Sequence, residues 1–384
     1  MPSVEVSEIF PAPNGKTAAE FIEAWHGRER TDGSSDLISI VRIRAGAKLR
    51  HNVVSTTARA ADIVDALESD SLDKLAYMDG ERWNLYHSCG WLNSVPPPQR
   101  RGGKDNINSL PGIWLDLDVK DGAFTSQADA LSLVDSLGVE PTILVATGSG
   151  GVHAYWKHEL SSLSPSSARS AGEAWHAHAV ETADVWLDKV ANEDRVMRLP
   201  GSIRWPKTAA ERPTSVELLK RDGPLADVNA MYTQAEPAWL RSKARRDAAF
   251  DEIKSRRSEA AVIFDNAEPG SKRELLNIVG LSETISETYT WEEILRPHGW
   301  TVLETDYEGR TVWSRPGAEG RKSATTDWYA APHSMSLFST AKETGLLALH
   351  EAGVPLTKYQ VYVQLEFNGD EAAFVRAWLA RSER

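Results

Sequence analysis

Asp116 and Asp118 stand two residues apart in Gly112-Ile113-Trp114-Leu115-Asp116-Leu117-Asp118-Val119, a run that is otherwise apolar. Such a run reads as a buried β-strand, and residues i and i+2 of a strand point to one face. Their Cβ atoms are then roughly 6.6 Å apart, twice the rise per residue. Two like charges on one buried face repel, and burying each is costly. Any fold that accepts this strand has to bring positive charge to it. Carboxylates at this spacing suit a pair of Mg²⁺ or Mn²⁺ ions about 3.5–4 Å apart, an arrangement that transfers phosphoryl groups.

The rest of the chain narrows the setting. Its 384 residues predict two or three domains, and 41% hydrophobic residues suffice for real cores. A net charge of −12 argues against a general nucleic-acid coat and leaves room for local basic patches. Two such patches are Arg195 to Arg221, with seven Lys/Arg against two Glu, and Arg241 to Arg257, with seven against three acids. A single cysteine, Cys89, excludes an intrachain disulfide and a Cys-rich zinc site, and it fits a reducing cytoplasm. No apolar run reaches the ~18 residues of a membrane span, and no signal-peptide pattern opens the chain. No GxxxxGK[ST] loop is present, which excludes a P-loop NTPase.

Local patterns predict helices over Ala18 to Trp25, Thr56 to Glu68, Gln127 to Leu137 and Ser167 to Val190. Strands are expected at Leu37 to Ile43, Trp83 to Trp91, Gly112 to Val119, Thr142 to Ala146, Val152 to Lys157 and Thr214 to Leu219, with a loop over Pro96 to Lys104. Charged, Ala-rich residues 237–285 read as helical. A smaller domain follows, with Trp291, Trp300, Trp313, Trp328 and Trp378, short strands at Thr301 to Thr305, Thr311 to Ser314 and Met335 to Ser339, and two final helices.

Four segments point to one site. Beside the Asp116/Asp118 pair stands Thr147-Gly148-Ser149-Gly150-Gly151-Val152-His153, a Gly-rich turn whose amides could cradle phosphate oxygens and whose histidine could donate to them. Next come Asp188-Lys189-Val190-Ala191-Asn192-Glu193-Asp194-Arg195-Val196-Met197-Arg198-Leu199-Pro200-Gly201 and the basic stretch through Arg204 and Lys207. Each segment alone is a weak signal. A glycosyltransferase also uses paired aspartates to hold Mn²⁺, but it gives no account of the histidine turn followed by the Arg-rich segment. A metal-dependent nuclease and a non-catalytic replication initiator are further alternatives.

Taken in order, these segments resemble the archaeo-eukaryotic primase superfamily, in its phage and plasmid primase-polymerase branch. Leu115-Asp116-Leu117-Asp118, Gly151-Val152-His153 and Leu187-Asp188 are similar to its three motifs, and Ser149 to Trp156 and Asp188 to Arg204 to patterns of that branch. Residues 80–210 carry the resemblance. Arg204 stands where the branch usually has Asn. The resemblance implies an α+β fold: an RRM-like primase core with a flanking α/β unit over 1–225, a helical connector over 226–287 and a small α+β domain over 288–384. It implies template-directed nucleotidyl transfer from dNTPs or NTPs on single-stranded DNA, with two Mg²⁺ or Mn²⁺ ions, in the cytoplasm of a bacterial host and with a replicative helicase as partner. Asp116, Asp118 and Asp188 would ligate metal, with Asp194 competing for the third place and spacing to Arg195 favouring Asp188. His153 joins them as a catalytic residue. Ser149, Gly150, Gly151, His153, Arg195 and Arg198 would bind nucleotide, and Arg101, Lys104, Arg204 and Lys207 nucleic acid.

The C-terminal segment resembles the module that lies between core and helicase in phage primase-polymerases, faintly like a zinc ribbon without its ligands. No zinc is expected there. His298 and His333 read as structural and most of the tryptophans as a small core, with Arg315, Arg321 and Lys322 as candidates for template contact.

Overall fold

The computed structural model describes residues 11–382, apart from 31–32, 46–52, 70–71, 73–81, 98–99, 121–122, 161, 186, 207–210, 267–277, 307–308, 319, 328–332, 339–343, 347–348 and 350–355. The chain is mixed α+β with antiparallel sheets and forms two compact units, Met1–Leu240 and Arg241–Arg384.

Two sheets build the first unit. The first contains β1 (Leu37–Arg44), β2 (Val53–Arg59), β3 (Trp83–Ser88), β4 (Trp91–Leu92), β5 (Ile107–Ser109) and β9 (Val196–Arg198). Its order is β5-β4-β1-β3-β9, with β2 also paired to β1. The second sheet is β12-β7-β8-β6, formed by β6 (Gly112–Leu117), β7 (Ile143–Ala146), β8 (Val152–Lys157) and β12 (Glu217–Lys220). A short pair, β10 (Ile203–Arg204) and β11 (Thr214–Ser215), stands apart.

β8 explains the layering. Its residues 152–156 are all buried, so both faces of this central strand are covered. One face presents His153 and Tyr155. Against it pack Phe21 and Trp25 of α1 (Gly15–His26), with ring centroids 5.5 and 5.1 Å from Tyr155. The other face presents Trp156, which meets Trp175 of α4 (Pro165–Ala183) edge to face at 5.5 Å. α1 starts where the Asn14 side chain accepts from the Thr17 amide, and its Ala18, Ile22 and Trp25 form a buried stripe at helical spacing. α2 (Ala60–Glu68) packs on α1, and α3 (Gln127–Ser136) packs beside α4. Both α3 and α4 are capped by serine side chains, Ser126 and Ser164. The first turns of α5 (Val228–Asp265) add Met231 and Ala235 to this core.

Four expected elements change, the first being Trp83 to Trp91, which is two strands separated at Cys89 and Gly90. Thr56 to Arg59 is strand, not helix: it pairs with Leu37 to Ile40, and the helix begins only at Ala60. The β-branched Thr56 and Thr57 suit a pleated surface, and cross-strand pairing overrides the local helical period. The helix expected to reach Val190 ends at Ala183, because Asp184 turns left-handed at φ 49°. Thr214 to Leu219 is two strands broken at Val216, which bonds back to Ser202 instead.

In the second unit β13 (Thr301–Thr305), β14 (Thr311–Ser314), β15 (Ala324–Thr326), β16 (Ser334–Leu337) and β17 (Leu356–Thr357) form an antiparallel meander. Its helices are α6 (Ile278–Thr288), α7 (Trp291–Leu295), α8 (Lys358–Phe367) and α9 (Glu371–Ser382). Capping boxes Thr290/Glu293 and Thr357/Gln360 start α7 and α8. Trp291, Trp300 and Trp313 are buried in its core, together with Ala260 and Phe264 of α5, and Trp378 packs against it. Trp328 lies outside the described residues. His298 bonds Glu366 at 2.9 Å, and the His333 carbonyl accepts from the Lys358 amide. Arg315 donates to the Pro316 carbonyl, Lys322 lies 4.9 Å over the Phe338 ring, and Arg321 is also engaged. Among the described residues no helix is long and apolar enough to cross a membrane.

His87 ties the two sheets of the first unit together. Its Nδ1 donates to the Ser88 carbonyl at 2.9 Å, and its Nε2 lies 3.2 Å from the Tyr155 hydroxyl. Burial pushes its pKa down from 6.5 to about 3. The folded pKa lies below the unfolded one, so unfolding takes up a proton. The stability from neutral His87 is complete above about pH 6.5 and is lost as pH falls toward 3. His87→Gln is expected to make denaturation free energy, measured against urea, shallower in pH between 6.5 and 4, by up to about 1.4 kcal/mol per pH unit. An unchanged slope would refute the buried neutral ring.

Candidate functional site

β6 is the edge strand of its sheet and pairs only with β8. In that register Asp116 stands directly opposite His153, so both point to the face that carries Tyr155. Asp118 follows one residue after the strand, on the same alternation. Its neighbour is the Gly-rich turn, where Thr147 N bonds the Gly151 carbonyl at 3.0 Å and the Thr147 and Ser149 hydroxyls meet at 2.9 Å. Gly151 is required by close approach: a Cβ there would lie 2.9 Å from the Leu117 carbonyl and 3.1 Å from Thr147 Oγ1.

Asp188 arrives from a different direction. After α4 stops at Asp184, the chain is pinned back: His176 Nε2 bonds the Leu187 carbonyl at 3.0 Å, and Trp114 Nε1 donates to the Val190 carbonyl at 2.9 Å. Leu187 and Val190 are buried, which leaves Asp188 on the open side. β9 supplies the opposite charge. It pairs with β3, so that Arg198 faces Tyr86 across the ladder, with Arg195 just ahead of the strand.

A cavity of about 220 Å³ lies where these elements meet. It is lined by Asp116, Asp118, Asp188, His153, Thr147, Ser149, Tyr86 and the strand segment Arg195 to Arg198. Asp116 is the most enclosed of the carboxylates, with 13% of its side chain exposed against 37% for Asp118 and 36% for Asp188. Its Oδ2 lies 3.6 Å from Arg195 Nη2 and its Oδ1 3.5 Å from His153 Nε2. Burial pushes the His153 pKa down to about 3, with Arg198 adding to the effect. The ring is therefore neutral at pH 7, and its contact with Asp116 is not an ion pair. Asp116 Oδ1 is buried without a hydrogen-bond partner. Burial raises the pKa of Asp116 against the pull of Arg195, and burial and then Asp116 raise that of Asp118. Lys120 Nζ lies 3.3 Å from Asp118 Oδ2 and 2.8 Å from Asp188 Oδ2.

Behind the cavity, the Tyr155 hydroxyl lies 3.4 Å from His153 Nδ1 and 3.2 Å from His87 Nε2. The ring that faces the site is thereby held from the core, with Nε2 directed at Asp116. Arg198 is held by Asn84 Oδ1 at 3.2 Å and lies 5.3 Å over the Tyr86 ring.

The structure thus brings Asp116, Asp118, Asp188, His153, Ser149, Arg195 and Arg198 to one cavity, with Gly150 and Gly151 in the adjoining turn. Asp194 is not among the lining residues. Its carboxylate accepts from Asn192 at 2.8 Å and lies 3.7 Å from Arg101. Arg204 pairs with Glu211 at 2.7 Å, Lys104 sits in a short turn over Lys104–Asn106, and neither lines the cavity. Lys207 lies outside the described residues. Lys120 and Tyr86 are the lining or neighbouring side chains that the sequence patterns did not single out. The alternation Asp116, Asp118, Lys120 carried a signal for the first, whereas nothing local marked Tyr86.

The donor set suits a hard divalent cation: oxygen-only carboxylates, one of them with a buried oxygen that lacks a partner. Among the described residues no three His, Cys, Asp or Glu side chains converge closely enough to ligate one ion as they stand. Lys120 is the cation between two of them.

No protein-family profile matches the sequence, and no curated protein matches it either. Among solved structures, the chain is similar to the AEP domain of the primase-polymerase of cyanophage S-2L, with 19% identity over 52% of this chain and 89% of that one, at a TM-score of 0.36. It is also similar to the primase RepB′, with 15% identity over 92% of this chain and 99% of the other, TM-score 0.38. A third likeness is to the catalytic domain of RepB′ in complex with initiator DNA, 15% identical over 60% and 98% of the two chains, TM-score 0.37.

Gly151→Ala is expected to destabilise the protein by about 1–3 kcal/mol, because backbone has to give way beside Leu117 and Asp118. Gly103→Ala, with open space around its Cβ, is the near-neutral comparison. Thermal unfolding of both variants checks this, and equal melting temperatures would contradict it.

Proposed function

We propose that the first unit is a primase-polymerase, a template-directed nucleotidyl transferase that joins (d)NTPs on a single-stranded DNA template in phage or plasmid replication. The observation that carries this reading is one cavity holding three carboxylates from two separate segments, faced by two arginines from a third. That combination matches the charges of the reaction. Carboxylates hold hard cations, and guanidinium groups meet the triphosphate.

In this reading Asp116, Asp118 and Asp188 would hold two Mg²⁺ or Mn²⁺ ions. Such ions, when bound, lower the pKa of an attacking 3′-hydroxyl and neutralise the triphosphate and leaving pyrophosphate. Arg195 and Arg198 would bind the phosphates. Arg198 is already oriented for this by Asn84 and Tyr86. His153, with its ring fixed by Tyr155, would meet the nucleotide beside Asp116. Ser149 and the amides of Gly148 to Gly151 would line the phosphate path. Arg101, Lys104, Arg204 and Lys207 are assigned to nucleic-acid phosphates. At about 4 Å, opposite unit charges attract by roughly 4 kcal/mol at an effective dielectric of 20, against about 1 kcal/mol in water. The part-buried setting of Asp116 therefore strengthens the charge contacts made inside the cavity.

The combined Asp116→Ala, Asp118→Ala variant is expected to lose at least about a thousandfold in incorporation, the loss of several kcal/mol of charge stabilisation. The assay supplies labelled dNTPs or NTPs, template with and without primer, and Mn²⁺. Substantial synthesis by a variant that is folded by circular dichroism would overturn the assignment, and degradation of the template would point to a nuclease.

A further inference from the structure

Lys120 is the third member of the alternation begun by Asp116 and Asp118. Its ammonium bridges carboxylates from two distant parts of the chain, 2.8 Å from Asp188 Oδ2 and 3.3 Å from Asp118 Oδ2. Those two carboxylates are the more exposed members of the proposed triad. About a third of the Lys120 side chain is exposed, so its head has a route to water. An ammonium is a compact point charge on a flexible four-carbon stem, with donors only. It satisfies the same oxygen lone pairs that a divalent ion would use. An oxygen engaged by the ammonium is not fully available to a second cation.

We propose that Lys120 is a tethered counterion: it holds Asp118 and Asp188 together in place of a divalent ion and is displaced when that ion binds. The proposal rests on the metal-dependent reading of the site. It assigns Lys120 a positioning role, since it acts through the two carboxylates. Without a cation, Asp118 and Asp188 repel each other, and the Trp114–Val190 hydrogen bond further back on β6 is left to hold the segment after α4. With Lys120 in place, the two segments stay registered. Displacing it lowers the net affinity for the ion, because part of the ion's binding free energy goes into breaking the lysine's contacts.

The test is a Mn²⁺ titration of the full chain without nucleotide, following the electron paramagnetic resonance of free Mn²⁺. The proteins compared are wild type, Lys120→Met and the combined Asp116→Ala, Asp118→Ala variant, with circular dichroism as the fold check. Lys120→Met is expected to bind Mn²⁺ about tenfold more tightly than wild type. It is also expected to melt lower than wild type without metal and to gain more from Mn²⁺. Lys120→Gln takes its place if the methionine variant does not fold. Wild-type binding that the lysine variant leaves unchanged or weakens overturns this inference alone. Absence of Mn²⁺ binding from both wild type and lysine variant overturns the metal reading and this inference with it.

Discussion

The carboxylate of Asp116 is the constraint on which the first unit turns. It sits on an edge strand, points into the space between two sheets and is nearly closed off from water. A charge in that position needs compensation, and the nearest ring does not give it, because buried His153 is neutral. The compensation comes from Arg195, just ahead of an edge strand of the other sheet. The two sheets therefore meet at a charge interaction as well as at an apolar core. Where they meet, the cavity opens.

The same junction accounts for the stiffness of the site. His153 is held by Tyr155, Tyr155 by His87, and His87 by its own backbone neighbour at Ser88. Phe21 and Trp25 press on this row from α1. A side chain that faces the cavity is thus set by contacts that belong to the core. Arg198 is held in a comparable way by Asn84 and Tyr86. The exposed side of the site differs: Asp118, Lys120 and Asp188 hold one another, in a cluster open to water.

Legibility in the sequence followed the range of the forces involved. The strand of Asp116, the strand of His153 and the turn between β7 and β8 were readable, because apolar runs and Gly-rich turns act over a few residues. Thr56 to Arg59 misled, because its local period is helical while its partner β1 lies more than ten residues away. The end of α4 misled as well, since one left-handed residue, Asp184, stops a pattern that composition would extend. Lys120 was within reach of a longer view of the alternation. Tyr86 was not, because its place at the cavity depends on the pairing of β3 with β9.

By itself, then, the sequence determined that Asp116 lies on a buried strand with Asp118 two residues on, and that a glycine turn leads into a histidine strand. Alternation and backbone freedom are local properties, complete within a few residues. The tertiary structure decided the rest. It set Asp116 opposite His153 through strand register, brought Asp188 and not Asp194 to the cavity with Leu187 and Val190 pinned into the core, and put Lys120 between two of the three carboxylates. These outcomes depend on burial and charge between segments far apart in the chain, and such interactions exist only once the sheets have met.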